Sequence, residues 1–231
     1  MAIPFDDPHA GQPVLVYGAK LDKAQSADKA QAAMILLHGR GASAEDILSL
    51  AEELPQPGFA FLAPQAAGNT WYPQRFTAPL SANQPWLESA LEAIGRVAAQ
   101  VAAAGIPPER TYLLGFSQGA CLALEYAARN PQRYGGIAGL SGGLIGPQVE
   151  LQRYPAGLAG TPVFLGCSDI DLHIPQERVM ETARALEQLG ARVDMRLYPG
   201  MGHTVNDDEV QAVQQMMAGT GQALTEPGGR V

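Results

Sequence analysis

TYLLGFSQGACLALEYAAR, residues Thr111 to Arg129, is the stretch whose reading decides the architecture. Thr111 to Phe116 is a short apolar run and reads as a buried strand. Gln118 to Asn130 is rich in Ala and Leu and reads as a helix, stopped by Asn130-Pro131. Between the two lies Gly115-Phe116-Ser117-Gln118-Gly119, a G-x-S-x-G element. A serine in this place sits on a strained turn from strand to helix, its hydroxyl pushed out at the strand's end. Such a turn leaves no room for side chains two residues to either side, so both flanks are Gly. The N-terminus of the following helix offers N–H groups and a positive dipole end to an oxyanion.

The same alternation extends in both directions. Strands are predicted at Val14 to Tyr17, Ala33 to Leu37, Phe59 to Ala63, Gly135 to Leu140, Pro162 to Gly166 and Arg192 to Tyr198. Ser43 stands three residues before Asp46, resembling a capping box ahead of a helix through Ile47 to Leu54. Pro85 to Ala104 is a long helix, with Leu87, Leu91, Ile94, Val97 and Val101 at spacings of three and four. Helices follow at Gln176 to Leu189, closed by Gly190, and at Asp207 to Ala218. Asp22 to Gln31 reads as a polar turn, and Thr225 to Val231 as a disordered tail. Strands alternating with helices build a mostly parallel sheet covered by helices on both faces. A single domain over 1–224 is expected. The chemistry of such sheets lies in loops at the carboxyl ends of the strands.

A serine hydroxyl needs a base. The chain has four His. His9 lies in a stretch read as a mobile start, and His38 follows a buried strand. Behind a nucleophile elbow the chain order is Ser, acid, His, so only His173 and His203 qualify. His203, in a loop after the last strand, is the expected base because an acid precedes it at the end of another strand. Asp169 and Asp171 both follow the strand Pro162 to Gly166. Asp171 is favoured because it stands just ahead of Pro175, which opens the next helix, while Asp169 stays open as an alternative. The oxyanion hole is expected from the Gln118 N–H and a second donor in His38-Gly39-Arg40-Gly41, with the Arg40 N–H in that role. Trp71, Tyr72 and Phe76, in the long irregular stretch Gln65 to Gln84, are candidate walls of an acyl pocket.

Composition narrows the partners. The 231 residues are 46% hydrophobic and 16% charged, with a net charge of −8, which fits a globular protein and speaks against nucleic acid. Two cysteines, Cys121 and Cys167, cannot build a disulfide framework and fit a reducing compartment. Cys121 reads as core, whereas Cys167 lies close enough to the acid loop to raise the question of its reactivity. Met1 to Gly11 lacks a basic and an apolar region, and no stretch has the length of a membrane span. A cytoplasmic location without an anchor is therefore expected. No His/Cys cluster has metal spacing and no phosphate-binding glycine loop is present, so neither metal nor cofactor is expected. The oligomeric state stays open, a homodimer included.

Four blocks, Leu36 to Gly41, Gly115 to Gly119, Asp171 to Pro175 and Tyr198 to His203, resemble the phospholipase/carboxylesterase family of α/β-hydrolases, which includes bacterial carboxylesterases and acyl-protein thioesterases. They run in the family's order over most of the chain. The resemblance implies an α/β-hydrolase fold without a large cap, a Ser117, Asp171, His203 triad, an oxyanion hole from Arg40 and Gln118, and hydrolysis of small-molecule esters, thioesters or lysophospholipids. It also matches Trp71 to a Trp of the loop after the third core strand. Many members carry Leu in place of Arg40, Asp in place of Ala42 and Gly in place of Ala120. These departures favour a small bacterial-type esterase, and Arg40 could set a cation at the pocket rim that favours anionic substrates. The enzymatic rival is a dienelactone-hydrolase-like lactone hydrolase, a group that commonly uses Cys where this chain has Ser117. The non-enzymatic rival is an inactive scaffold or receptor.

Overall fold

The computed structural model describes residues 7–21, 28–54 and 57–222. The tail Thr225 to Val231 lies outside the described residues, as does most of the polar turn Asp22 to Gln31. Among the described residues, seven strands form one sheet: β1 (Val14–Gly18), β2 (Ala32–Leu37), β3 (Phe59–Pro64), β4 (Thr111–Phe116), β5 (Gly136–Leu140), β6 (Pro162–Ser168) and β7 (Arg192–Tyr198). Their spatial order is β1-β3-β2-β4-β5-β6-β7. β1 runs antiparallel to β3, and every other neighbouring pair is parallel.

Alternation along the strands divides the core in two. In β2, Ala33, Ile35 and Leu37 face one side, while Ala32, Met34 and Leu36 face the other. The first side is covered by α2 (Trp86–Ala103), α3 (Gln118–Arg129) and α4 (Gln176–Gln188). There Leu87, Leu91, Ile94, Val97 and Val101 are buried as one stripe of α2. The second side is covered by α1 (Ala44–Ser49) and α5 (Asp207–Gln222). The elements foreseen from periodicity all form, with ends displaced by a few residues. Ser43 and Asp46 complete the capping box of α1. Gly190, at φ +97°, takes the left-handed position after α4 that glycine adopts without strain.

The start of the chain departs from its reading as mobile. His9 is buried, its ring packed against Trp71 and Trp86. Asp7 bonds Ser89 and, at 2.9 Å, Arg96, which clips the segment to α2. Asp6-Asp7-Pro8-His9 gives no sign of this in the sequence, because burial here rests on hydrogen bonds and ring contacts rather than on an apolar run.

A second capping box opens α5. The Asn206 Oδ1 accepts from the Glu209 N–H at 3.0 Å, and the Asn206 N–H donates back to Glu209 Oε2 at 2.9 Å. Glu209 is wholly buried, its Oε1 has no hydrogen-bond partner, and a Cβ at Gly166 would strike that oxygen. Burial pushes its carboxyl up to about 7. A folded-state value raised above the unfolded one contributes stability below the unfolded value, near 4.3, that is lost as pH rises through 7. Glu209→Gln keeps the cap without the charge. It should stabilise the protein by about 1–3 kcal/mol at pH 8 and by much less at pH 4, read from urea unfolding at both pH values. An equal effect at both would refute the assignment.

No helix among the described residues is long and apolar enough to cross a membrane.

Candidate active site

The elbow between β4 and α3 explains its own sequence. Ser117 has φ 55° and ψ −117°, a conformation costly for any residue with a side chain. A Cβ at Gly115 would run into the backbone of Gly119, and a Cβ at Gly119 would run into the Leu37 carbonyl of the neighbouring strand. The two glycines are therefore a packing requirement. Gly119→Ala should destabilise the fold by at least about 2 kcal/mol, since the obstruction is backbone and cannot turn away. Chemical denaturation of the variant checks this, and unchanged stability would contradict the packing.

The elbow brings Ser117 to two loops from distant parts of the chain. Its Oγ lies 2.8 Å from His203 Nε2, and His203 Nδ1 lies 2.7 Å from Asp171 Oδ2. The other Asp171 oxygen accepts the N–H groups of His173 and Ile174, at 2.8 and 3.0 Å. Burial alone would raise the Asp171 carboxyl, but the hydrogen bonds from His203 and the two amides outweigh it and hold the group below its ordinary value. An ionised carboxylate can only accept. The Nδ1 position therefore carries the imidazole proton, and Nε2 is left to accept from the serine hydroxyl.

Asp169 is placed elsewhere: its Oδ1 accepts the Gly200 N–H at 2.8 Å and fixes the turn after β7. His38 is also no base. Wholly buried, it accepts the Ala66 N–H at Nε2 and bonds the Gly39 carbonyl through Nδ1. His9 does the same for the Ala67 N–H and the Trp71 carbonyl. Both rings are held in one tautomer, and burial lowers both from their ordinary values. Burial pushes the thiols of Cys121 and Cys167 up to about 12, which removes the reactivity considered for Cys167.

Ser117 and His203 open into a cavity of about 420 Å³ whose walls include Gln118, Tyr72, Phe76 and Ile174. A larger recess of about 670 Å³ at the β1 edge, lined by Tyr17, Lys20 and Phe61 among others, holds no such pair. Trp71 departs from its expected place. It is wholly buried outside the cavity wall, its indole N–H donating to the His38 carbonyl at 2.9 Å and its ring beside His9 and His38. A buried indole needs an acceptor, and the loop carbonyl behind the elbow supplies one. Tyr72 and Phe76 do line the cavity.

The side chains of Arg40 and Gln118 do more than sequence patterns disclose. Gln118 Oε1 accepts the Trp71 N–H at 2.8 Å, and its Nε2 donates to the Tyr72 carbonyl at 2.8 Å. Arg40 donates to the carbonyls of Tyr72, Pro73 and Gln74 at 2.9, 3.0 and 2.7 Å. Two residues beside Ser117 thus clamp the 71–74 loop as one wall of the cavity. Backbone carbonyls carry no sequence signature, so no motif could have announced them.

A family profile described as Phospholipase/Carboxylesterase matches residues 22–220. The chain belongs to the phospholipase/carboxylesterase family. One solved relative, a phospholipase/carboxylesterase from Dyadobacter fermentans, is 42% identical, with a TM-score of 0.84 over 90% of this chain and 96% of that one. Among curated family members, acyl-protein thioesterase 1 of Kluyveromyces lactis is 30% identical over 86% of this chain and 97% of its own length. A probable carboxylesterase SOBER1-like protein of Arabidopsis thaliana is 30% identical over 60% of this chain. The chain spans about half the length of that plant relative and of acyl-protein thioesterase 1 from Gibberella zeae, at 55% and 49%. The sheet, with helices on both faces, is the α/β-hydrolase fold of this family.

Proposed function

We propose that this chain is a serine carboxylesterase that hydrolyses carboxylic esters, thioesters among them, through an acyl-Ser117 intermediate. The observation that carries the reading is the unbroken hydrogen-bond relay from Ser117 Oγ through His203 to Asp171, with steps of 2.8 and 2.7 Å. In the first step the Ser117 hydroxyl attacks the ester carbonyl while His203 Nε2 takes its proton. Asp171 holds the ring in the required tautomer and stabilises its charged form. The Arg40 and Gln118 amides receive the oxyanion, an effect worth about 3–4 kcal/mol per donor. The protonated His203 then gives its proton to the leaving alcohol or thiol. In the second step His203 takes a proton from water as it attacks the acyl-serine carbonyl, then returns that proton to Ser117 Oγ as the acyl–oxygen bond breaks and the acid leaves.

The reading extends to a cytoplasmic, single-domain enzyme that needs no metal or cofactor. Support comes from the two free, buried cysteines and from a site whose proton transfers are complete in side chains. Labelling with a fluorophosphonate probe tests it. The wild-type chain should react, and loss of labelling in Ser117→Ala should map the adduct. A wild-type chain that resists the probe and turns over no aryl ester would favour the inactive scaffold instead. Turnover of lactones far above that of open-chain esters would favour the lactone hydrolase.

A further inference from the structure

The charge of the cavity mouth runs against that of the whole chain. The protein has 23 Asp and Glu against 15 Lys and Arg. Yet none of the described residues lining the cavity is Asp or Glu, while Arg40, Arg75 and His173 all contribute to its wall. Arginine is charged at any working pH, so two fixed positive charges stand at the mouth.

Among the described residues, neither charge has an acidic partner. Arg40 bonds only carbonyls, which orient the guanidinium and leave its charge in place. Arg75 is exposed, and its backbone is fixed. Its carbonyl accepts from the buried Asn83 side chain at 3.2 Å, and Asn83 Oδ1 accepts the Gln74 N–H at 2.8 Å. The next residue, Phe76, accepts the Gly146 N–H at 2.8 Å. Arg75 therefore projects from a loop tied down on both sides, and Arg40, from the loop after β2, is bonded to that same loop.

The cavity wall adds a buried hydroxyl. Tyr72 is 1% exposed, and its hydroxyl lies against the Cys121 thiol. Burial, with the neighbouring Cys121, raises its pKa well above the ordinary value, so the hydroxyl stays a neutral donor. Fixed cations with no carboxylate among the lining residues attract negative charge.

We infer that the preferred substrates are esters carrying a second, anionic group, a carboxylate or a phosphate, on the acyl or the alcohol side. This rests on the esterase reading above and names its substrate class. Matched pairs of equal shape isolate the charge. Monomethyl succinate against methyl levulinate places it on the acyl side. Acetoxyacetate against acetoxyacetone places it on the alcohol side.

At pH 7.5 and low ionic strength, kcat/KM for the charged member should exceed that of its neutral match by about tenfold in at least one pair. That ratio should fall towards one as salt rises to about 0.5 M. Arg75→Gln should lower the ratio threefold or more, and Arg75→Lys should restore most of it. Ratios at or below one in both pairs would overturn the inference and leave the esterase reading standing. A preference untouched by both salt and Arg75→Gln would overturn it equally. Hydrolysis of none of the four compounds, nor of an aryl acetate, would remove the esterase reading itself and the inference with it.

Discussion

Ser117→Ala should lower kcat against para-nitrophenyl acetate by about 10⁴-fold or more. The expectation follows from where the hydroxyl sits. Ser117 Oγ is the group of the elbow placed against His203 Nε2, and the strained turn presents it to the cavity. Alanine removes one oxygen and leaves the backbone conformation to the two flanking glycines, so folding should be little affected. The thermal unfolding midpoint of the variant, measured alongside the kinetics, separates lost chemistry from lost structure. Turnover within tenfold of the wild type in a folded variant would exclude Ser117 as the nucleophile. The buried thiols offer no replacement, because each is pushed up to about 12.

The second large effect separates two aspartates two residues apart. Asp171→Asn should reduce kcat by roughly 10³–10⁴-fold, because an amide in place of Oδ2 can donate to Nδ1 and so favour the wrong imidazole tautomer. Asp169→Asn should cost less than about tenfold, since Asp169 receives only the Gly200 N–H, which an amide oxygen can still accept. The reverse ranking would exchange their roles. Stability carries a matching signature. The Asp171 carboxyl is held below its ordinary value, so its ionisation supports the fold above the unfolded value of about 3.9 and the support is lost as pH falls through the depressed one. Asp171→Asn should therefore flatten the acid side of the stability curve, as read by urea unfolding between about pH 3 and 6.

These two residues also show where sequence reading reaches its limit. Ser117 could be singled out because its role imposes local demands: a strand before it, a helix after it, and glycines where a Cβ would collide with backbone. His203 followed from chain order, once a nucleophile elbow was granted. Asp171 could be ranked above Asp169 but not separated from it, since both follow β6 and either side chain could in principle reach back. The separation is made by the two amides of His173 and Ile174, which hold one carboxylate oxygen and leave the other aimed at Nδ1. Trp71 erred in the other direction. An aromatic residue in a long loop suits a pocket wall, but its indole N–H found the His38 carbonyl and drew the ring into the core.

By itself, then, the sequence determined the alternation of strands and helices, the elbow with its serine, and the order of the groups that follow. Each of these depends on side-chain periodicity or on steric limits within a few residues, which a linear text records. The tertiary structure decided which aspartate meets His203, that His9 and His38 serve as buried braces, and that Arg40 and Gln118 clamp the 71–74 loop. All of these depend on backbone carbonyls and amides brought together across tens of residues. Such groups are the same in every residue, so only their positions in space distinguish them.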